Sequence, residues 1–266
     1  MKNSIKNIFE SERGLLLLPF VSLGTPNTQI NKQAIIAMDK NGANIIELGI
    51  PYSDPVADGP VIQDAYNKAI KNGVNIRKAF KILMNLKGKI KSPIIVFIYY
   101  NQLLNYGINK FLEKLIQLEV QGIIVPDLPY DESQILKKKC TINNIALISL
   151  IALTSSFSRI KKIARNAEGF LYLISKTGVT GGTGKLMNKL KIIIKTIQKL
   201  TSKPVVVGFG INSRRQIKQL IEWNSNGIVI GSPCVQILLQ SSKEVCVIKL
   251  SGLIKQIKES TSSTSN

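Results

Sequence analysis

Eight apolar runs, each four to nine residues long, alternate with helix-period segments along almost all of this 266-residue chain. The runs are Leu15 to Leu23, Asn44 to Leu48, Pro93 to Tyr100, Gly122 to Val125, Ile145 to Leu150, Gly169 to Ile174, Pro204 to Gly208 and Gly227 to Ile230. Runs with no polar alternation are strands buried on both faces, as in a parallel sheet covered by helices. Between them lie Asn31 to Asn41, Ile62 to Lys71 with Ile76 to Leu86, Asn109 to Glu119, Asp131 to Thr141, Phe157 to Ala167, Leu186 to Leu200, Arg214 to Trp223 and a last pair within Cys234 to Lys258. Phe111, Leu112, Leu115, Ile116 and Leu118 mostly follow the rhythm of one buried helix face. Eight strand-helix units at this length indicate a (β/α)8 barrel more naturally than a doubly wound open sheet. No linker divides the sequence, which predicts one domain over 1–259 and a polar, disordered tail over 260–266.

Composition removes several functional classes. No apolar run approaches the roughly 18 to 20 residues that cross a bilayer, and Leu15 to Val21 reads as a first strand, not a signal peptide. Cys140, Cys234 and Cys246 are far apart, so neither a disulfide framework nor a zinc site is suggested and a reducing cytoplasm fits best. The chain has no histidine, which removes serine-histidine and cysteine-histidine nucleophile pairs and the commonest metal ligand. Its formal charge of +20 invites a nucleic-acid partner, but the lysines are scattered over the helical segments. Aromatics, at 6%, do not interleave with them as a stacking platform requires. The charge is read as a solvated surface, with no nucleic-acid and no membrane partner.

Whatever chemistry occurs must therefore run on carboxylates, lysines, hydroxyls or backbone dipoles. Of only sixteen acidic residues, three fall within Glu47 to Asp58, in the stretch IIELGIPYSDPVADGP that ends at Pro60. Glu47 lies near the C-terminal end of the second strand; Asp54 and Asp58 lie in the loop behind it, and Pro60 is placed to open the next helix. Carboxylates there are candidates for general acid/base work, because active sites of barrels gather at that end of the strands. The alternative is structural, with Glu47 ending a strand and the aspartates making Asx turns.

Glycine-rich turns follow the last three strands: Ser175 to Gly184, Gly208 to Gly210, and Gly231-Ser232. Exposed backbone amides and a short helix beginning at Ser232 suit a phosphate. A nucleotide site is not indicated. Val179 and Leu186 break a P-loop pattern around Gly184-Lys185, and no third glycine completes a dinucleotide fingerprint after Gly210.

ELGIPYSDPVADGP at Glu47 to Pro60 resembles the signature of the tryptophan synthase alpha chain family. PFVSLG at Pro19, PDLP at Pro126, YLISKTGVTG at Tyr172, GFGI at Gly208 and GS at Gly231 agree in order and spacing. The resemblance covers nearly the whole chain. It implies a single barrel with an extra N-terminal helix and additional short helices, cleaving indole-3-glycerol phosphate to indole and glyceraldehyde 3-phosphate without metal or cofactor. It implies Glu47 as the general acid/base, and Asp58 as the group that stabilises charge at the indole nitrogen and takes its proton. Gly181, Gly210, Gly231 and Ser232 would cradle the phosphate with Phe209 beside them. Phe20, Tyr172 and Thr180 would line the indole end and the closing loop, and Phe97 and Tyr99 lie where the wording departs from the family's. A pyridoxal-phosphate beta chain is the implied partner, in an alpha2-beta2 arrangement, with Pro51, Asp54, Asp127 and Pro129 on or near the contact.

Overall fold

The apolar runs form eight strands: β1 (Leu16–Ser22), β2 (Ile46–Gly49), β3 (Ile94–Phe97), β4 (Gly122–Ile124), β5 (Ala146–Ala152), β6 (Glu168–Ile174), β7 (Val205–Gly208) and β8 (Gly227–Ile230). They close into a barrel in chain order, each parallel to its neighbours, with β8 returning to β1. This is a computed structural model, and it describes residues 5–12, 14–174, 183–208, 213–241 and 243–262. The helices are α1 (Ile5–Ser11), α2 (Thr28–Lys40), α3 (Pro60–Lys71), α4 (Ile76–Leu86), α5 (Tyr100–Tyr106), α6 (Ile108–Gln117), α7 (Gln134–Ile142), α8 (Phe157–Asn166), α9 (Thr183–Leu200), α10 (Arg214–Glu222), α11 (Ser232–Gln240) and α12 (Lys243–Ser262).

Strand alternation divides the buried residues into two cores. Leu16, Leu18, Phe20, Ile45, Ile95, Phe170 and Val206 fill the barrel, whereas Leu17, Val21, Ile46, Leu48, Val96, Leu171 and Val207 pack outward against the helices. Glu47 falls on the inward parity and is completely buried. Local chemistry starts the helices where the sequence allows it. Asn27 accepts hydrogen bonds from the Gln29 and Ile30 amides, Asn75 from Lys78, and Ser156 from Arg159. Pro60 opens α3 as expected.

One end of the barrel is closed by α1. Gly122 and Gly169, near the starts of β4 and β6, leave room for the Ile5 side chain, and Phe9 packs on Phe170 with ring centroids 5.5 Å apart. The opposite end, where the strands finish, is left to the loops.

Two expectations need correction. The third apolar run does not remain extended to Tyr100: β3 stops at Phe97, and Tyr100 begins a helix. The Asp127 carboxylate, from the loop after β4, accepts the Tyr100 amide at 2.9 and 3.1 Å, an anion held at a helix N-terminus. A tail is also expected from residue 260, whereas α12 continues through Ser262. Thr261 is buried, its hydroxyl donates to Lys258 O at 2.9 Å, and its carbonyl lies against Gly14. Residues 263–266 lie outside the described residues. Among the described residues, no helix is long and apolar enough to cross a membrane.

Candidate active site

The acidic loop is stitched to the mouth of the barrel by residues distant in sequence. Backbone bonds from Val56 N to Asp54 O and from Asp58 N to Pro55 O fold it tightly. Tyr99, just past β3, accepts the Ala57 amide at 3.1 Å and donates its hydroxyl to Asp58 Oδ2 at 2.5 Å. The Tyr99 ring stacks on Tyr52 at 5.0 Å, Asn101 donates to the Tyr52 hydroxyl, and Gln102 donates to Pro51 O. Gln63, from the first turn of α3, donates to Asp58 O. Asp58 is therefore a positioned carboxylate rather than the free end of a loop.

Glu47 is held differently. It is paired in register with Phe20 of β1 and Ile95 of β3, so its side chain enters the barrel among apolar groups. Neither carboxyl oxygen has a hydrogen-bond partner among the described residues. Desolvation holds its pKa well above the usual carboxylate range, outweighing the opposite influence of the neighbouring Tyr172 hydroxyl. Tyr172 is near enough to influence the carboxyl yet outside ordinary hydrogen-bond geometry, so the oxygens still count as unpartnered. A buried carboxylate with no donor would cost several kcal/mol, roughly, so Glu47 is held as the neutral acid.

Tyr172 joins the two carboxylates. Its own ionisation is opposed first by burial and then by the charges of Glu47 and Asp58. Its ring lies across Gly208, the last residue of β7, where any Cβ would collide with it. Phe20 and Phe97 meet edge to face at 5.7 Å on the adjoining wall. Gly231 follows β8 beside the Phe20 ring, and Ser232 is exposed at the start of α11, where no side chain caps the helix. Its open amides and dipole suit an anion. Among the described residues, no three of His, Cys, Asp and Glu gather as a metal site.

Of the residues expected from sequence, Glu47, Asp58, Phe20, Tyr172, Gly231 and Ser232 thus sit at the same end of the barrel. Thr180, Gly181, Phe209 and Gly210 lie outside the described residues. Asp54, Asp127 and Pro129 are exposed, whereas Pro51 is buried and would shape a contact only through its loop. Tyr66, a neighbour of Asp58, was not anticipated: in Ile62, Ala65, Tyr66 and Ala69 it looks like part of an ordinary buried helix face.

A family model described as "Tryptophan synthase alpha chain" matches residues 6–262. The chain belongs to the tryptophan synthase alpha chain family. It is 41% identical to the tryptophan synthase alpha chain of Pyropia yezoensis over 257 residues, 96% of this chain and 98% of that one. Among solved structures it is similar to tryptophan synthase subunit alpha from Campylobacter jejuni, with TM-score 0.83, 31% identity, and 94% and 99% of the two chains covered. Tryptophan synthase from M. tuberculosis in an open form gives TM-score 0.86 at 26% identity, covering 98% and 99%.

The state of Glu47 makes stability of this alpha chain depend on pH. A carboxyl whose folded pKa is raised contributes stability that is complete below the ordinary glutamate value and is lost as pH rises through the folded value. Glu47→Gln, which does not titrate, is therefore expected to gain thermal stability relative to wild type as pH rises from about 4 to 8. Melting temperatures of both proteins across that range test it; a difference that stays constant with pH would refute the buried neutral acid.

Proposed function

We propose that this chain cleaves indole-3-glycerol phosphate to indole and glyceraldehyde 3-phosphate, as a carbon-carbon lyase of tryptophan biosynthesis. The observation that carries the proposal is Glu47: a fully buried carboxyl, without a hydrogen-bond partner among the described residues, kept protonated at the site end of β2. Retro-aldol cleavage of an indole needs such an acid. Protonating indole C3 breaks aromaticity and puts positive charge on the ring nitrogen. The Glu47 carboxylate left behind then takes the proton of the glycerol hydroxyl next to the ring. As that hydroxyl becomes an aldehyde, the carbon-carbon bond breaks and its electron pair returns to the ring, restoring indole. Glu47 ends as it began.

Asp58 offsets the charge on the indole nitrogen by accepting its N–H. Phe20 and Tyr172 flank the ring, and Thr180 is assigned to the same end of the substrate. Gly181, Gly210, Gly231 and Ser232 hold the phosphate, with Phe209 beside them. Incubating the purified chain with indole-3-glycerol phosphate is expected to release indole and glyceraldehyde 3-phosphate in equal amounts. No indole, either alone or with an added beta chain, would reject the proposal.

The words "alpha chain" in the relatives' names imply a second chain. The proposed partner is a beta chain carrying pyridoxal phosphate, in an alpha2-beta2 complex, receiving indole at the face made by the loops after β2, β3 and β4. Asp54, Asp127 and Pro129 are exposed on those loops, with Pro51 beneath, and Val56 is 62% exposed. An exposed valine beside fixed charges suits a protein contact better than open solvent.

A further inference from the structure

Tyr66 is a helical residue that belongs to the wrong core. Most buried helix side chains of this fold pack onto the outside of the barrel wall, but the first turns of α3 carry Ile62, Ala65 and Tyr66 into the cluster that fills the barrel. The start of the helix is drawn over the mouth by Thr25, whose hydroxyl donates to Ala65 O at 2.8 Å. Tyr66 is fully buried, and its hydroxyl has no hydrogen-bond partner among the described residues.

The place of that hydroxyl is set by Gly49, the last residue of β2. Gly49 shares the inward parity of Glu47, two residues before it, and a Cβ there would collide with Tyr66 Oη and with Phe20 Cζ. The phenol thus takes the space that any other residue at position 49 would fill, immediately above Glu47 on the same strand. Burial, followed by the charges of Asp58 and Tyr99, keeps it protonated. Unlike Tyr99, which is bonded to Asp58, Tyr66 brings to the site a donor that no acceptor among the described residues takes. A buried hydroxyl left unsatisfied is destabilising unless a ligand completes it.

We propose that Tyr66 is a substrate-binding residue, donating its hydroxyl to a glycerol hydroxyl of the bound substrate between Glu47 and Asp58. The assignment rests on the lyase reading above, and it follows by elimination. The indole nitrogen has one N–H, which Asp58 takes. The phosphate is held at the other wall, by Gly231 and Ser232. The glycerol hydroxyls are the polar groups that remain, and a donor to one of them fixes the rotation of the bond that breaks. Tyr66 then selects for a hydroxylated side chain on the indole.

Tyr66→Phe keeps the ring and removes only the hydroxyl. With indole-3-glycerol phosphate, kcat/KM is expected to fall about tenfold, mainly through KM, while the melting temperature stays the same or rises. The dissociation constant of indole-3-propyl phosphate, which lacks both glycerol hydroxyls, is expected to change less than about twofold, since it offers Tyr66 nothing to lose. Unchanged kcat/KM for the substrate overturns the proposal. So does a loss that is equal for substrate and deoxy analogue, or that tracks a lowered melting temperature, because each is the mark of a packing role. Wild-type chain that releases no indole at all rejects the lyase reading instead, so the two failures are distinct.

Discussion

Glu47→Gln is expected to lower kcat for indole release by roughly a thousandfold or more, with KM little changed, the upper part of the range for loss of a positioned acid/base. That is about 4 kcal/mol of transition-state stabilisation. The substitution is close to isosteric and exchanges one neutral group for another, because burial already holds the carboxyl protonated. Fold and substrate binding should therefore survive. What is lost is the proton itself: glutamine can neither protonate indole C3 nor take the hydroxyl proton as the bond breaks. Water is a poor substitute, since the side chain is completely enclosed. Steady-state assay with indole-3-glycerol phosphate decides the matter, and retention of more than about a tenth of wild-type kcat would remove Glu47 from the mechanism.

Asp58→Asn is expected to lower kcat/KM by roughly 100- to 1000-fold, the scale seen when one preorganised electrostatic partner of a transition state is removed. The geometry explains why the loss should appear in chemistry more than in structure. Asparagine can still accept the Tyr99 hydroxyl through its oxygen, so the bond at 2.5 Å and the loop it anchors can persist. The remaining amide then presents N–H groups toward the indole N–H, donor against donor, just where positive charge develops. Circular dichroism and melting temperature should match wild type while activity falls. Wild-type activity in this variant would show that the nitrogen's charge is handled elsewhere.

Much of this was legible in the chain because it is local. Glu47 and Asp58 lie on one strand and the loop that follows, within twelve residues. Strand parity alone sends Glu47 inward once the sheet is closed. Pro60 marks the start of α3, and the eight apolar runs lie within a few residues of the observed strands. The discrepancies occur where a distant residue decides. Tyr100 opens a helix because Asp127 supplies an anion to its amide, and α12 extends past residue 260 because Thr261 finds a buried place beside Gly14. Neither partner is near in sequence, so no local pattern could announce it.

The environment of the carboxylates has the same character. Tyr99 stands 41 residues from Asp58, and its bond to Asp58 requires β2 and β3 to be neighbours with their ends level. Tyr66 carries the pattern of a common buried helix face; only the docking of α3 over the mouth turns that face into the barrel. The barrel and the candidate carboxylates Glu47 and Asp58 could be read from the sequence because periodicity and a contiguous motif are properties of neighbours along the chain. That Glu47 is desolvated and without a donor among the described residues, while Asp58 is bonded to Tyr99, is settled only by the folded barrel, because desolvation is the joint work of strands that meet when it closes.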